Sequence, residues 1–195
     1  ADFLKSLRHT SEYPLNPKHV LEVFPSRFQR GVQMDSHECL ITLFNIIEKK
    51  SSLQRFCIKE TLSVICGNCN HVSKTRWENY TLMVPVTNSL AESIRKYCKN
   101  KNSEYKCEKC NQTHENTTTT SELELPQVLI VNLKRFKYKN NKRYKITDTI
   151  NIPLNIDKFE LCGVINHVGS ANGGHYTATI KRQNNWYVAN DSSLS

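Results

Sequence analysis

Gly173-Gly174-His175-Tyr176-Thr177-Ala178, followed by Trp186 and Asn190-Asp191, is the stretch from which the fold and chemistry of this chain are read. It sets a histidine beside two residues without side-chain bulk, on a segment that reads as a strand. Fifteen residues beyond His175, Asn190 offers an amide and Asp191 a carboxylate on a second short strand. A hairpin brings these groups together. An imidazole that takes a proton, with a polar group fixing its tautomer, is the general-base half of a nucleophile–His–Asn/Asp triad. No convincing nucleophile accompanies the pair, so the chain reads as an incomplete catalytic unit.

The rest of the sequence limits what can surround that pair. A length of 195 residues suffices for one large domain or two small ones, and 38% hydrophobic content is modest but globular. Charged and apolar residues alternate almost throughout, which argues against wholesale disorder. No apolar run approaches the roughly 20 residues of a membrane span. The opening Ala1-Asp2-Phe3-Leu4-Lys5 has neither an initiator Met nor an apolar signal core, so a processed end or a fragment edge is expected.

Eight cysteines fall into a pattern unlike a secreted disulfide scaffold. Cys66-Gly-Asn-Cys69 and Cys107-Glu-Lys-Cys110 are two CxxC knuckles with 37 residues between them. Four thiolates at about 2.3 Å give the closed tetrahedral shell that Zn²⁺ prefers. One structural zinc is therefore expected, with no open position for water. Local disulfides or merely buried thiols are the alternative. Cys39, Cys57, Cys98 and Cys162 are scattered singly and read as ordinary buried thiols. The whole pattern suits a reducing compartment, cytoplasmic or nuclear or both.

Net charge is +9, concentrated in Lys134, Arg135, Lys137, Lys139, Lys142, Arg143 and Lys145, with no acid between Glu124 and Asp148. A solvated basic loop between two strands is preferred to a nucleic-acid patch. Aromatic residues there are limited to Phe136, Tyr138 and Tyr144, a poor stacking platform.

Residues 1–32 read as irregular, with Pro14, Pro17, Pro25 and Gly31 as breaks. Asp35 and Glu38 have capping-box spacing before a helix whose apolar face is Leu40, Leu43, Phe44 and Ile47, closed by Lys49-Lys50. Strands are expected at Thr61–Ile65 before the first knuckle and Tyr80–Val86 after it. Ser89 and Glu92 cap a short helix carrying Leu90, Ile94 and Tyr97. Residues 111–121 read as an exposed hairpin tip. Val128–Val131 reads as a strand buried on both faces. Further strands are expected at Ile150–Leu154, Phe159–Asn166, His175–Lys181 and Trp186–Ala189.

Taken together, these motifs resemble the catalytic domain of the ubiquitin-specific proteases, papain-like thiol deubiquitinases. Gln33-Met34-Asp35-Ser36-His37-Glu38-Cys39-Leu40 is similar to the family's Gln-Gln-Asp-Ala-His-Glu-Phe-Leu box. The CxxC pairs match its zinc-binding fingers, and Leu133-Lys134-Arg135-Phe136 its Leu-Lys-Arg-Phe element. Gly163…His167…Gly173-Gly174-His175-Tyr176 matches its histidine box, and Trp186…Asn190-Asp191 its third-residue segment. The matches run in the family's order from about residue 15 to 193.

The resemblance implies an α+β fold of the papain-like cysteine protease superfamily, a hand of thumb, palm and zinc-bearing fingers. It implies a single partial domain over 1–195, with residues 1–55 as partial thumb, 56–125 as fingers and 126–195 as palm. It implies ubiquitin and ubiquitylated proteins as partners and cleavage after the last glycine of ubiquitin's Arg-Leu-Arg-Gly-Gly tail, while the residues themselves favour neither a membrane nor a nucleic acid. His175 would be the base, Asn190 its orienting group and Asp191 a nearby support. Asp35 and Gln33 would hold the tail, and Gly173, Gly174 and Tyr176 would line its narrow channel. Cys66, Cys69, Cys107 and Cys110 would hold the zinc. Asp35 also reads as a helix cap, Tyr176 as a core residue, and His167 as part of a loop.

One element of the family pattern is missing. The Gly-Asn-Thr-Cys-Tyr-Met-Asn-Ser box, which carries the nucleophile, does not occur in the 195 residues. Cys39 lies where the family has an apolar helix residue and reads as an inert buried thiol. Met34 replaces a glutamine. Truncation at both ends is the preferred expectation, leaving the chain inactive alone. A ubiquitin-binding pseudoenzyme is the second reading, and a zinc-stabilised nucleic-acid or protein interaction module the third.

Overall fold

Helix α1 (Ser36–Ile46) begins where Asp35 takes an extended conformation, φ −71° and ψ 133°. In this computed structural model, which describes residues 22–28, 31–47, 50–99 and 101–195, Asp35 Oδ1 accepts the N–H groups of His37 and Glu38 at 2.9 and 3.0 Å. Those amides have no carbonyl of their own, so the cap stabilises the helix by about 1 kcal/mol. Glu38 does not reciprocate as a capping box would. Its carboxylate pairs instead with Arg27 Nε at 3.3 Å. Phe44 is buried and meets the rings of Phe56 and Tyr80 at 5.4 and 5.6 Å; Leu40, Leu43 and Ile47 are half-buried. Of the expectations before this helix and at its end, those for residues 1–21, 29, 30 and Lys49 lie outside the described residues.

The middle of the chain is a four-stranded antiparallel sheet in the order β2-β1-β5-β4. Its strands are β1 (Ile58–Ile65), β2 (Val72–Asn79), β4 (Lys101–Lys106) and β5 (Thr113–Glu124). Each knuckle is the turn of one hairpin, β1–β2 or β4–β5. Because β1 and β5 run antiparallel with Ile65 opposite Thr118, both turns lie at the same end of the sheet. The exposed tip expected at 111–121 is thus incorrect. The β-branched Thr117–Thr120 run forms the middle of a central strand, with Thr117 fully buried. The tip is the knuckle itself.

A small core sits where this sheet meets helix α2 (Leu90–Cys98), capped by Ser89 Oγ on the Glu92 N–H at 3.2 Å. Ile58, Leu82 and Val84 are buried there, with Leu90, Ile94, Tyr97, Leu123, Leu129, Val131 and Leu133 packed around them. Strand β3 (Leu82–Val84) runs parallel to β6 (Val131–Leu133). The strand expected at Tyr80–Val86 is thereby shortened, and β2 takes its place after the first knuckle. Val128–Val131 is not a strand buried on both faces: Val128–Ile130 approach as a half-buried loop, held by Val128 N to Arg55 O and Leu82 N to Ile130 O.

The basic stretch is an ordered hairpin rather than a loop. Strands β7 (Phe136–Lys139) and β8 (Lys142–Lys145) pair around Asn140-Asn141, both in the left-handed region at φ +50° and +57°. Asparagine tolerates that conformation, and two such residues form the turn whose twist matches a hairpin. Residues 150–154 contribute only a bridge from Asn151 to Ser89, ahead of the short pair β9 (Asn155–Ile156) and β10 (Phe159–Glu160).

The C-terminal sheet is a meander of β11 (Gly163–Gly169), β12 (Gly174–Arg182), β13 (Asn185–Asn190) and β14 (Ser193–Leu194). His167, expected in a loop, is inside β11 opposite Tyr176. Among the described residues no helix is long and apolar enough to cross a membrane.

Candidate active site and metal centre

Register places the two polar groups of the opening motif. Strands β12 and β13 pair Ala178 with Ala189. Continuing that register sets Asn190 level with Thr177 and diagonal to His175, on the same face of the sheet. The side chains meet there: His175 Nε2 lies 2.6 Å from Asn190 Oδ1. A carbonyl oxygen only accepts, so Nε2 carries the proton and donates. Nδ1 of the neutral ring is then the basic nitrogen. Both residues are exposed, so a reacting group can approach. Asp191 is not brought into this contact. It turns the chain between β13 and β14 at φ +49°, a position fixed by Ser193 Oγ donating to Asn190 O at 2.9 Å.

The entry to α1 is tied to the start of β12 on either side of His175. Gly174 N–H donates to Gln33 Oε1 at 3.2 Å, and Tyr176 Oη–H to Asp35 Oδ2 at 3.4 Å. Asp35 therefore divides its carboxylate, one oxygen capping α1 and the other facing Tyr176. The two glycines have separate reasons. A Cβ on Gly174 would meet Val168 O at 2.2 Å and His167 Nε2 at 2.4 Å. A Cβ on Gly173 would meet only the Gln33 amide, at 2.7 Å. Gln33, Asp35, Gly173, Gly174 and Tyr176 thus form one wall between the α1 entry and the start of β12, with Tyr176 on the opposite face of the strand from the His175 side chain.

His167 belongs to that wall, and its role was not read from the sequence. Its ring lies 4.7 Å from that of Tyr176 and 5.7 Å from that of Phe136. Burial, then the nearby Lys145 ammonium, hold its pKa below the usual histidine range, against the opposing pull of Asp35. The available signal was alternation: His167 shares a sheet face with Tyr176 once β11 is recognised as a strand.

At the far end of the first sheet, Cys66, Cys69, Cys107 and Cys110 place all four sulfurs within 4.8 Å of one another. The pairs Cys66–Cys110 and Cys69–Cys107 are 3.9 and 3.6 Å apart. A tetrahedral ion with sulfur at 2.3 Å needs edges of about 3.8 Å. The cluster fits a metal ion. Both knuckles share one backbone design: Cys66 N–H to His71 O and Asn70 N–H to Cys66 O, matched by Cys107 N–H to Gln112 O and Asn111 N–H to Cys107 O. Asn70 and Asn111 take φ +54° and +56°. An Asn after the second cysteine is the signal for this turn that spacing alone misses. The N–H groups of Cys69 and Asn68 lower the Cys66 thiol to about 6. On Cys69 the backbone at His71 acts downward, but burial and the neighbouring thiols prevail and push it to about 11.

The remaining cysteines differ from the expectation of uniform burial. Cys57 is buried, Cys39 and Cys98 are half-buried, and Cys162 is exposed. Burial raises the Cys39 pKa, which favours an unreactive thiol.

Comparison with known proteins fits this geometry. A sequence model of the family described as ubiquitin carboxyl-terminal hydrolase matches residues 1–195. Among curated relatives, Ubl carboxyl-terminal hydrolase 18 of Mus musculus is 27% identical over 203 residues, covering 84% of this chain and 55% of its own length. Ubiquitin carboxyl-terminal hydrolase 8 of Saccharomyces cerevisiae is 28% identical over 186 residues, covering 76% of this chain and 40% of its own. The chain thus spans about half the length of these relatives. The solved SAGA Ubp8/Sgf11/Sus1/Sgf73 DUB module bound to ubiquitin aldehyde superposes with a TM-score of 0.72 at 25% identity, covering 84% of this chain and 45% of the matched one.

Proposed function

The chain belongs to the ubiquitin carboxyl-terminal hydrolase family, and on that premise we propose that it supplies ubiquitin binding and the His/Asn half of a thiol deubiquitinase. The observation that carries this reading is the 2.6 Å contact of His175 Nε2 with Asn190 Oδ1. Asn190 fixes the ring so that Nδ1 takes the proton of a cysteine thiol. The thiolate then attacks the carbonyl of the last ubiquitin glycine. The imidazolium returns its proton to the departing lysine or α-amine, and water hydrolyses the acyl-enzyme by the same base. By the resemblance, the cysteine comes from a Gly-Asn-Thr-Cys box, a pattern absent from these 195 residues.

Gln33, Asp35, Gly173, Gly174 and Tyr176 are assigned to the channel for the Gly-Gly tail. The Asp35 carboxylate suits a tail that carries arginines. Asp191 supports the His175–Asn190 pair through the turn that holds Asn190, rather than by contact. We assign residues 1–55 to the thumb, 56–125 to the fingers and 126–195 to the palm. Cys66, Cys69, Cys107 and Cys110 would hold one structural Zn²⁺, which supplies no chemistry beyond clamping the two hairpin tips together. We assign the chain to the cytoplasm or nucleus, because two CxxC knuckles that hold a metal as thiolates suit a reducing compartment.

The test is release of a fluorophore from the C-terminus of ubiquitin by the full-length protein. His175→Ala should lower kcat by at least about 10²-fold while ubiquitin binding persists. Unaltered turnover in that variant would refute the assignment. Ubiquitin binding with no turnover in the unmodified full-length protein would instead establish a pseudoenzyme.

A further inference from the structure

We propose that His167 is a positioning residue of the tail channel: its ring holds Tyr176 on Asp35 and ties the basic hairpin to the catalytic strand. The proposal rests on the deubiquitinase reading and deepens it, by naming what shapes the channel wall and how acid disturbs it.

Four contacts converge on this residue from three elements. Tyr176 of β12 packs on the ring at 4.7 Å with the planes tilted by 46°, and Phe136 of β7 meets it edge-on at 5.7 Å. Gly174 stands so close that any side chain there would strike Nε2 and Cε1. Lys145 of β8 donates to the backbone oxygens of His167 and Gly169 at 2.8 and 3.1 Å. The ring therefore fills the space between the hairpin and the strand that carries His175. Tyr176, packed against it, presents its hydroxyl to Asp35 Oδ2. Loss of the ring frees Tyr176 to turn and opens a void behind Gly174.

The same setting makes the wall sensitive to protonation. His167 Nδ1 is buried and has no hydrogen-bond partner. A proton added there gains no acceptor and places a cation beside Lys145. The groups facing the ring are the Lys145 ammonium from β8, the Asp35 carboxylate from the α1 cap and the neutral Tyr176 phenol; Phe136 brings no charge. Burial and Lys145 favour the neutral ring, and Asp35 opposes them more weakly. The ring thus stays neutral at physiological pH and charges only below the usual histidine range. Once charged, it also repels a tail that carries arginines.

The experiment uses the full chain, unmodified and as His167→Phe and His167→Ala. Ubiquitin affinity is measured by calorimetry near about pH 7.5 and about pH 5.5, and the imidazole and tyrosine ring signals are titrated by NMR. The unmodified chain should bind ubiquitin several-fold more weakly in acid. The Tyr176 ring signal should move in step with His167, not with His175. His167→Ala should weaken binding at both pH values. His167→Phe, which keeps an aromatic ring against Tyr176 but cannot protonate, should recover part of that loss and flatten the acid decline. Unchanged affinity in His167→Ala, or an undiminished acid decline in His167→Phe, would overturn the proposal. If the unmodified chain binds no ubiquitin at either pH, the deubiquitinase reading fails. The positioning role then stands or falls on the Tyr176 signal: movement with His167 titration supports it, and indifference to both titration and His167→Ala refutes it.

Discussion

Gln33 and Gly174 lie 141 positions apart in sequence and are joined by a 3.2 Å hydrogen bond from the Gly174 amide to the Gln33 side chain. Two residues beyond Gly174, Tyr176 reaches Asp35 across the same gap. His175 sits between these two ties. The strand that carries it is thus fastened to the helix entry on both sides, the preorganisation that the proposed proton transfer would require.

The two glycines before His175 should respond differently to added bulk. Gly174→Ala meets the fixed carbonyl of Val168 and should destabilise the fold by about 1–3 kcal/mol, as overpacking does. Gly173→Ala meets only the movable Gln33 side chain and should cost less than about 1 kcal/mol. Adding Gln33→Ala should relieve Gly173→Ala but not Gly174→Ala. Urea denaturation of the single and double variants measures the difference.

Glu60 should prove a strong structural requirement at the base of the first sheet. It is 2% exposed, and its Oε2 accepts from Trp77 Nε1 at 2.9 Å and Tyr97 Oη at 2.8 Å. Burial, then that carboxylate, push the Tyr97 phenol well above its ordinary value. Glu60→Ala removes the buried carboxylate that the Trp77 and Tyr97 donors share and should cost about 2–4 kcal/mol. Glu60→Gln keeps an acceptor oxygen and should cost roughly half as much. Unfolding followed by Trp77 fluorescence distinguishes them.

What the sequence disclosed and what it hid follow from the range of the interactions involved. The Asp35 cap, the Ser89 cap and the turn in each CxxC knuckle are set by residues within a few positions of one another, and each was legible. The His175–Asn190 pair was legible because a hairpin register links them. The Thr117–Thr120 run misled because polarity suggested a surface tip, whereas β-branching and a place between β1 and β4 make it a central strand. Val128–Val131 misled in the opposite sense, since an apolar run can serve a loop that packs on a core. His167 offered only strand alternation, and Gln33 was placed by its box alone; neither showed what it would touch. Their contacts with Tyr176, Phe136 and Gly174 exist only once distant elements are assembled.

The metal centre should be stoichiometric and acid-labile. One zinc per chain is expected by elemental analysis, with chelation exposing the amides of β1, β2, β4 and β5 to hydrogen exchange. Metal binding requires thiolates. Cys66, lowered to about 6, ionises first, whereas Cys69 near 11 depends on the ion to lose its proton. Protons compete for the four sulfurs as pH falls, so acid should release the ion. A chelator-resistant fold containing well under one zinc per chain would contradict this account.

The most direct test of the central claim is the tautomer of His175, read from long-range ¹H–¹⁵N NMR spectra of the chain above the pKa of the ring. The account predicts Nε2–H with an unprotonated Nδ1, and loss of that preference in Asn190→Ala. A ring protonated on Nδ1, or one indifferent to Asn190→Ala, would contradict it.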